Sequence, residues 1–140
     1  MKLGILIIVL FFFQATTFSQ NINKKDLIGE WIVKEGHFTG DTILLQKFSE
    51  KNAEDAMMKN IAVFESDRFY TTLFTGDVCV QGVFCDPIGT WVLNKNQIEF
   101  PLIRYKGNGN CKTSYKISYE IVESSDKLIR LKKIKPIIFK

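Results

Sequence analysis

The sequence predicts an all-β protein: an eight-stranded antiparallel up-and-down barrel with one short helix between the first two strands. Turn-forming residues recur about every eight to twelve residues, and this spacing is typical of a β-sandwich or barrel. The connections between the alternating segments are short, and short connections favour antiparallel neighbours because parallel neighbours need a long crossover. Closing such a sheet into a barrel removes its exposed edges.

Apolar and polar residues alternate in most of the predicted strands. The predicted strands span residues 30–38, 60–66, 69–75, 78–85, 89–94, 97–105, 112–123 and 127–134. The seventh is the clearest, because Tyr115, Ile117, Tyr119 and Ile121 all fall on one face. Alternation with a period of two predicts that one face of this strand is core and the other is wet.

The sixth strand carries a proline within its apolar pattern. Ile98, Phe100 and Leu102 are predicted to point inward. Pro101 cannot donate a backbone hydrogen bond, so it indicates a sheet edge or a bulge at this point.

One stretch interrupts the strands. Residues 49–58 predict a short helix, with Ser49 as the N-cap, acidic residues in its first turn and Met57 on its apolar side. Residues 40–47, just before it, fit either a loop or a ninth strand.

The first residues predict export. Lys2 precedes an apolar run from Leu3 to Phe13, and Thr17-Phe18-Ser19 supplies small residues suited to cleavage. The run is too short for the ~20 residues that span a bilayer, so we expect no transmembrane anchor. Residues 1–19 are therefore predicted to be a signal peptide and residues 20–140 one barrel domain, located in the periplasm or secreted.

The formal net charge is +4, and much of the basic excess lies near the C-terminus. Lysines there suit a solvated edge strand. Nucleic-acid binding would require basic residues interleaved with stacking aromatics on one face, and the sequence shows no such stripe. We expect no nucleic-acid partner, and the sequence predicts no oligomeric state.

Both tryptophans occur in the same short motif. Ile28-Gly29-Glu30-Trp31 recurs as Ile88-Gly89-Thr90-Trp91, and an apolar run follows each. Both units predict strand starts, since glycine permits backbone angles that other residues avoid and an indole can close the end of a β-core. In an up-and-down barrel both would lie at the same end.

The first unit, Gly29-Glu30-Trp31, resembles the lipocalin signature, in which Gly-x-Trp opens the first strand of an eight-stranded barrel. The later strands around Trp91, Tyr115 and Leu128–Leu131 are similar to those of bacterial lipocalin-like proteins. The chain is shorter than typical lipocalins, and its helix position is closer to that of fatty-acid-binding proteins. The resemblance implies structural roles for Gly29 and Trp31, with Arg130 packed over the Trp31 ring.

The resemblance also implies a barrel that binds a small hydrophobic molecule under the helix. The candidate ligand-binding residues are Met57, Phe74, Trp91, Phe100, Tyr115 and Tyr119. Aromatics of this size favour a filled interior, whereas a barrel of eight strands can also hold one small ligand. The sequence leaves these two alternatives open.

Three cysteines in an exported protein predict one disulfide and one leftover thiol. Cys79 and Cys85 lie too far apart on one predicted strand to be bridged, unless Gln81-Gly82 is itself a turn. Cys85 and Cys111 fall at the same predicted end of the barrel, so we expect them to pair.

No residue pattern requires catalysis. The spacing of the cysteines and His37 is unlike that of a zinc site, and we expect no metal and no cofactor. His37 has the chemistry of a haem ligand or general base, but a lone histidine near a strand end is usually structural or solvated. We therefore expect a ligand-binding barrel and not an enzyme. The alternative is a protein-interaction or inhibitor module with a packed interior and no ligand.

Overall fold

Most of the described chain is β-structure. The computed structural model describes residues 22–74, 85–107, 114–134 and 138–139. The predicted signal peptide, most of the predicted strand at 78–85, and both Cys79 and Cys111 lie outside these ranges. Eight antiparallel strands close into a barrel, because the sixth strand pairs with both the fifth and the seventh.

The elements are short helices and strands in the following order. They are α1 (Lys24–Leu27), β1 (Gly29–Gly36), β2 (Thr42–Lys47), a 3₁₀ turn (Glu50–Asn52), α2 (Ala53–Ala56), β3 (Lys59–Phe64), β4 (Arg68–Phe74), β5 (Cys85–Asn94), β6 (Gln97–Gly107), β7 (Ser114–Ser124), β8 (Leu128–Lys133) and β9 (Ile138–Phe139).

The strand order is not a simple up-and-down meander. Strands β3 to β8 follow one another around the barrel, but β1 lies between β2 and β3, and β2 pairs with β8. Residues 40–47, which fit either a loop or a strand by sequence, contain β2. The helix therefore lies between β2 and β3, and the prediction that it follows the first strand was wrong.

This strand order places the helical segment along the barrel wall. Strands β2 and β3 are both antiparallel to β1, so their connection must travel the length of the wall. We call residues 48–58 the strap. Ala56 of the strap is buried with Ile32 and Ile61 in a cluster separate from the main core. The helix thus covers the outer face of the barrel and is not a lid over its end.

The two Gly-x-Trp units lie at the same end of the barrel, as predicted. Gly29 pairs with Phe64, Phe64 with Phe69, and Phe69 with Gly89. The turns at 65–67, 95–96 and 125–127 are at this end, which we call the tryptophan end. The β1–β2 loop, residues 37–41, is at the opposite end, which we call the mouth.

Strand β5 differs from its prediction. Asp86-Pro87-Ile88-Gly89 reads as a turn, but the whole stretch belongs to β5 and pairs with β6. Pro87 is tolerated because pairing between β4 and β5 ends at Ile88. Trp91 is consequently inside its strand, and β5 runs toward the tryptophan end while β1 runs away from it. Gly89 permits close packing, since a Cβ there would lie 2.1 Å from the Leu102 carbonyl oxygen.

Strands β6 and β7 confirm the periodicity with one correction. The four apolar β7 residues are buried as predicted, and Ile98 and Phe100 of β6 are fully buried. Pairing shifts between Phe100 and Ile103, which confirms a bulge at Pro101. The bulge changes the alternation, so Ile103 is buried instead of Leu102.

Aromatic rings fill the barrel from the tryptophan end to its middle. The Phe64 ring lies 5.1 Å from both Phe69 and Trp91, and Phe69 lies 4.8 Å from Phe100. Both tryptophans are only 1% exposed. Burial of side chains this large contributes much of the apolar area removed from water on folding.

Candidate functional site

Among the residues that the structure describes, a cavity inside the barrel lies at the mouth. A cavity of about 160 Å³ opens there, above the packed aromatic rings. Its lining residues come from several strands and the β1–β2 loop: Val33, His37, Phe38, Thr39, Asn60, Thr71, Asp86, Pro87, Tyr105 and Tyr115. Apolar and hydrogen-bonding side chains are mixed in this set, as is usual in small-molecule sites.

Phe38 separates the cavity from the core. Its ring is 4.6 Å from the Phe69 ring and 5.9 Å from the Phe100 ring, and the side chain is 5% exposed. The loop residue thereby folds back into the barrel and seals the aromatic core beneath it.

Two tyrosines of β7 hold this loop in place. The Tyr115 hydroxyl donates to the Phe38 carbonyl oxygen at 3.0 Å, and the Tyr119 hydroxyl donates to that of Gly40 at 3.3 Å. Burial raises the pKa of both phenols above the ordinary value. Each therefore stays a neutral donor at physiological pH, and the β1–β2 loop stays bonded to β7.

A surface ion pair supports the same loop. Asp41 pairs with Lys133 of β8, and the Lys133 amide donates to the Asp41 carbonyl oxygen. The hydrogen bond and charge of Lys133 lower the pKa of the Asp41 carboxyl. The loop is thus bound to β7 and β8 from both sides.

Asp86 is the carboxylic acid among the described lining residues. Burial raises the pKa of its carboxyl, because the charged form loses hydration there. In the β5–β6 register Asp86 lies opposite Lys106, whereas its neighbour Pro87 pairs with Tyr105. His37, which lines the same cavity, is exposed and offers an imidazole at the rim.

The tryptophan end is closed by two lysines. The Lys47 ammonium lies 4.5 Å from the Trp31 ring centroid and donates to the Ile28 carbonyl oxygen at 2.9 Å. The Lys24 ammonium lies 4.8 Å from the Trp91 ring centroid. Lys47 therefore takes the position expected for Arg130.

Arg130 lies on the outer surface instead. Its guanidinium pairs with Glu123 at 3.1 Å and with Glu35 at 3.7 Å. In β8 the inward positions are Ile129 and Leu131, which are buried, so the alternation turns Arg130 outward. The lysine of β2 was not identifiable from sequence, because β2 itself was not assigned.

Each indole N–H at this end has a backbone partner. That of Trp31 donates to the Leu27 carbonyl oxygen and that of Trp91 to the Glu65 carbonyl oxygen, each at 2.8 Å. These bonds keep the buried rings in one orientation. The roles expected for Gly29 and Trp31 are structural, and φ of +127° at Gly29 suits glycine at the start of β1.

The six candidate ligand-binding residues are not brought together. Tyr115 lines the mouth cavity, and Trp91, Phe100 and Tyr119 are buried in the core. Phe74 packs outside the barrel, 5.4 Å from the Phe48 ring of the strap, and Met57 belongs to the strap itself. The two outer positions follow from the strap running along the wall.

Several mouth residues were not predicted as a site. Thr71 and Asn60 are polar residues at inward positions of strands β4 and β3, and Tyr105 follows the β6 bulge. Thr71 could have been identified from the sequence, because it is a polar residue at an inward position of a predicted strand. The inward orientation of Tyr105 could not be predicted, because the bulge shifts the alternation of β6 before this residue.

A second depression, of about 490 Å³, lies on the outer surface at the tryptophan end. Its lining is mostly charged and hydroxyl side chains, with Ile22 as an apolar member: Ile22, Lys25, Asp26, Lys47, Ser124, Ser125 and Asp126. Water can satisfy the polar groups of such a surface without a ligand, so the mouth remains the candidate site.

The predicted disulfide lies outside the described residues, because Cys111 does. It stays a prediction. In the ranges that the structure covers, no three His, Cys, Asp or Glu side chains are grouped as metal ligands. None of the described helices is long and apolar enough to cross a bilayer.

Comparison with protein-family models, curated proteins and solved structures finds no match to this chain.

Proposed function

We propose that the chain is an exported binding protein that holds a small molecule in the mouth of its barrel. The observation that carries this proposal is the 160 Å³ cavity, which stands over the aromatic rings that pack the described part of the interior. A site of this kind needs a preformed concave surface with a few polar groups that orient the ligand. The mouth has both.

The cavity limits the size of the ligand. Engineered apolar cavities of about 150 Å³ hold one benzene ring, whereas pockets for drug-sized molecules measure about 300–1,000 Å³. The ligand is therefore of one-ring size. Val33, Phe38 and Pro87 supply apolar walls for it, so a small hydrophobic molecule with one polar group fits best.

The proposal includes export and a distant relation to lipocalin-like proteins. The predicted signal peptide supports export, and the closed eight-stranded barrel with Trp31 at its end supports the relation. The strand order differs from a meander, so the relation rests on the barrel and the Gly-x-Trp motif. The protein binds its ligand without transforming it.

Filling the cavity tests the proposal. Thr71 is 5% exposed and lines the cavity, whereas Thr72, one residue along β4, is exposed on the outer face. We expect Thr71→Phe to abolish binding of one-ring probes such as benzyl alcohol and benzylamine, as measured by ligand-observed NMR, while Thr72→Phe leaves it unchanged. Equal binding by both variants, or no binding by the wild type, would overturn the proposal.

The filled interior favours a second candidate, a protein-interaction or inhibitor module. A solid barrel offers a rigid frame for the loops at the mouth, and such a module needs no ligand. Native mass spectrometry of the purified protein separates the two. A bound small molecule supports the first candidate, whereas a bare chain that also rejects the one-ring probes supports the second.

A further inference from the structure

We propose that Phe38 sets the size of the ligand, and that its ring limits the mouth cavity to molecules with one ring. This inference rests on the proposed function, since it assigns the residue that determines size selection in the same cavity. Three observations carry it: the place of the ring, the contacts that hold its loop, and the apolar surface beneath it.

The Phe38 ring forms the floor of the cavity. One side of the ring lines the cavity, and its centroid lies 4.6 Å from that of Phe69 and 5.9 Å from that of Phe100. Phe69 and Phe100 are both fully buried, and neither lines the cavity. The Phe38 ring is therefore the group that divides the ligand space from the core below it.

The backbone of the β1–β2 loop holds the ring in this place. Two amides of the loop donate to the His37 carbonyl oxygen at 2.8 Å each, which makes a tight turn around Phe38. The Tyr115 hydroxyl donates to the Phe38 carbonyl oxygen at 3.0 Å, and Lys133 pairs with Asp41 at the end of the loop. None of these contacts uses the Phe38 side chain, so we expect the loop to keep its path when the ring is replaced.

Removal of the ring is expected to make room for a second ring in the ligand. The present cavity has about the volume that holds one benzene ring, and the Phe38 side chain occupies the volume of one more. A cavity left by a large-to-small substitution closes only in part, because the surrounding structure relaxes incompletely. The space gained would be lined by Phe69 and Phe100, so it suits the second ring of a fused two-ring molecule.

Two alcohols that differ by one ring test the proposal. The purified protein is titrated by calorimetry with benzyl alcohol and with naphthylmethanol, which carry the same polar group. We expect the wild type to bind benzyl alcohol at least ~10-fold more tightly, because the second ring has no room above Phe38 and loses the gain from its burial. Phe38→Ala is expected to reverse this order, with at least a ~10-fold gain in naphthylmethanol affinity over the wild type.

Two further variants locate the effect at Phe38. Phe38→Leu keeps an apolar side chain of intermediate size and is expected to show an intermediate preference. Phe74→Ala removes a ring outside the barrel, 5.4 Å from the Phe48 ring, and is expected to leave both affinities unchanged. Thermal unfolding confirms that each variant is folded, and Phe38→Leu decides the matter if Phe38→Ala does not fold. A purely structural role for Phe38 would weaken both alcohols together and leave the ratio of their affinities unchanged.

The failures are distinguishable. If the wild type binds naphthylmethanol as tightly as benzyl alcohol, or if the Phe38 variants keep the wild-type preference, Phe38 does not set the size and the mouth remains a binding site. A gain in naphthylmethanol affinity for Phe74→Ala as large as that for Phe38→Ala would refute the inference as well. If the wild type binds neither alcohol, the proposed function falls together with this inference.

Discussion

Lys47 is expected to stabilise the protein more than Arg130 does. The substitution Lys47→Met keeps most of the aliphatic stem over Trp31 but removes the ammonium 4.5 Å from the ring and its 2.9 Å hydrogen bond to Ile28. The cation–π contact of a partly buried lysine contributes about 1–2 kcal/mol. Its charge-assisted hydrogen bond adds about 1.5 kcal/mol or more.

Desolvation offsets part of this gain. Burial lowers the pKa of the Lys47 ammonium, which shows that the charged form loses hydration in the folded state. The net loss for Lys47→Met is therefore about 1–2 kcal/mol. In a domain of this size, that corresponds to a decrease of about 4–8 °C in Tm.

Two matched substitutions complete the test. Lys24→Met removes an exposed lysine at 4.8 Å from Trp91 and is expected to cost about 0.5–1 kcal/mol. Arg130→Met removes exposed ion pairs with Glu123 and Glu35, which contribute about 0–1 kcal/mol. Urea unfolding followed by tryptophan fluorescence measures all three. A larger loss of stability for Arg130→Met than for Lys47→Met would show that Lys47 does not stabilise the Trp31 ring as described.

Three further predictions concern pH, packing and processing. Burial raises the folded-state pKa of Tyr115 and Tyr119, so the unfolded chain loses these protons first; stability then falls above about pH 10, by up to ~1.4 kcal/mol per pH unit for each tyrosine. Gly89→Ala places a Cβ 2.1 Å from a carbonyl oxygen and is expected to cost about 1–3 kcal/mol or more in urea unfolding. Intact mass of the protein purified from an export-competent host is expected to correspond to a chain beginning at Gln20.

Controls accompany these measurements. Tyr119→Phe is expected to make the alkaline loss of stability shallower, and an unchanged slope would contradict the assignment to buried phenols. Thr90→Ala, at an exposed neighbour of Gly89, is expected to change stability little. An intact mass that includes residues 1–19 would contradict the signal peptide.

The barrel was predictable because burial controls alternation. On β7, every second residue from Tyr115 to Ile121 faces the core, and the sequence displays this pattern directly. The bulge at Pro101 was predictable for a different reason, since proline cannot donate to the sheet. Because of the bulge, Ile103 is buried in place of Leu102. This effect depends on the pairing with β7, which the sequence does not display.

The strand order was not predictable from local signals. Residues 42–47 alternate well enough for a strand, but nothing local indicates that β2 pairs with β8 at the far end of the chain. The predicted turn at Asp86–Gly89 failed because Pro87 and Gly89 are tolerated where pairing with β4 ends and where β6 approaches closely. The pairing of β2 with β8 and the continuity of β5 determine where the strap runs and at which end of the barrel each turn lies.

The candidate site was predictable only in part for the same reason. Tyr115 was identified because it lies on a regular strand. Phe74 and Met57 were predicted to face the interior, but the strap runs along the outer wall and both residues lie outside the barrel. Phe38, Thr71 and Asp86 gather at the mouth through the β1–β2 loop and the continuity of β5. The sequence pattern indicated neither the position of this loop nor the continuity of β5.

Ligands are expected to bind at the mouth, above the aromatic rings that pack the described interior. Aromatic NMR spectra recorded during a benzylamine titration test it most directly, because rings lie at both places. We expect the resonances of Phe38, Tyr105 and Tyr115 to shift while those of Trp31 and Trp91 stay in place. Shifts confined to the two tryptophans, or to no ring at all, would contradict it.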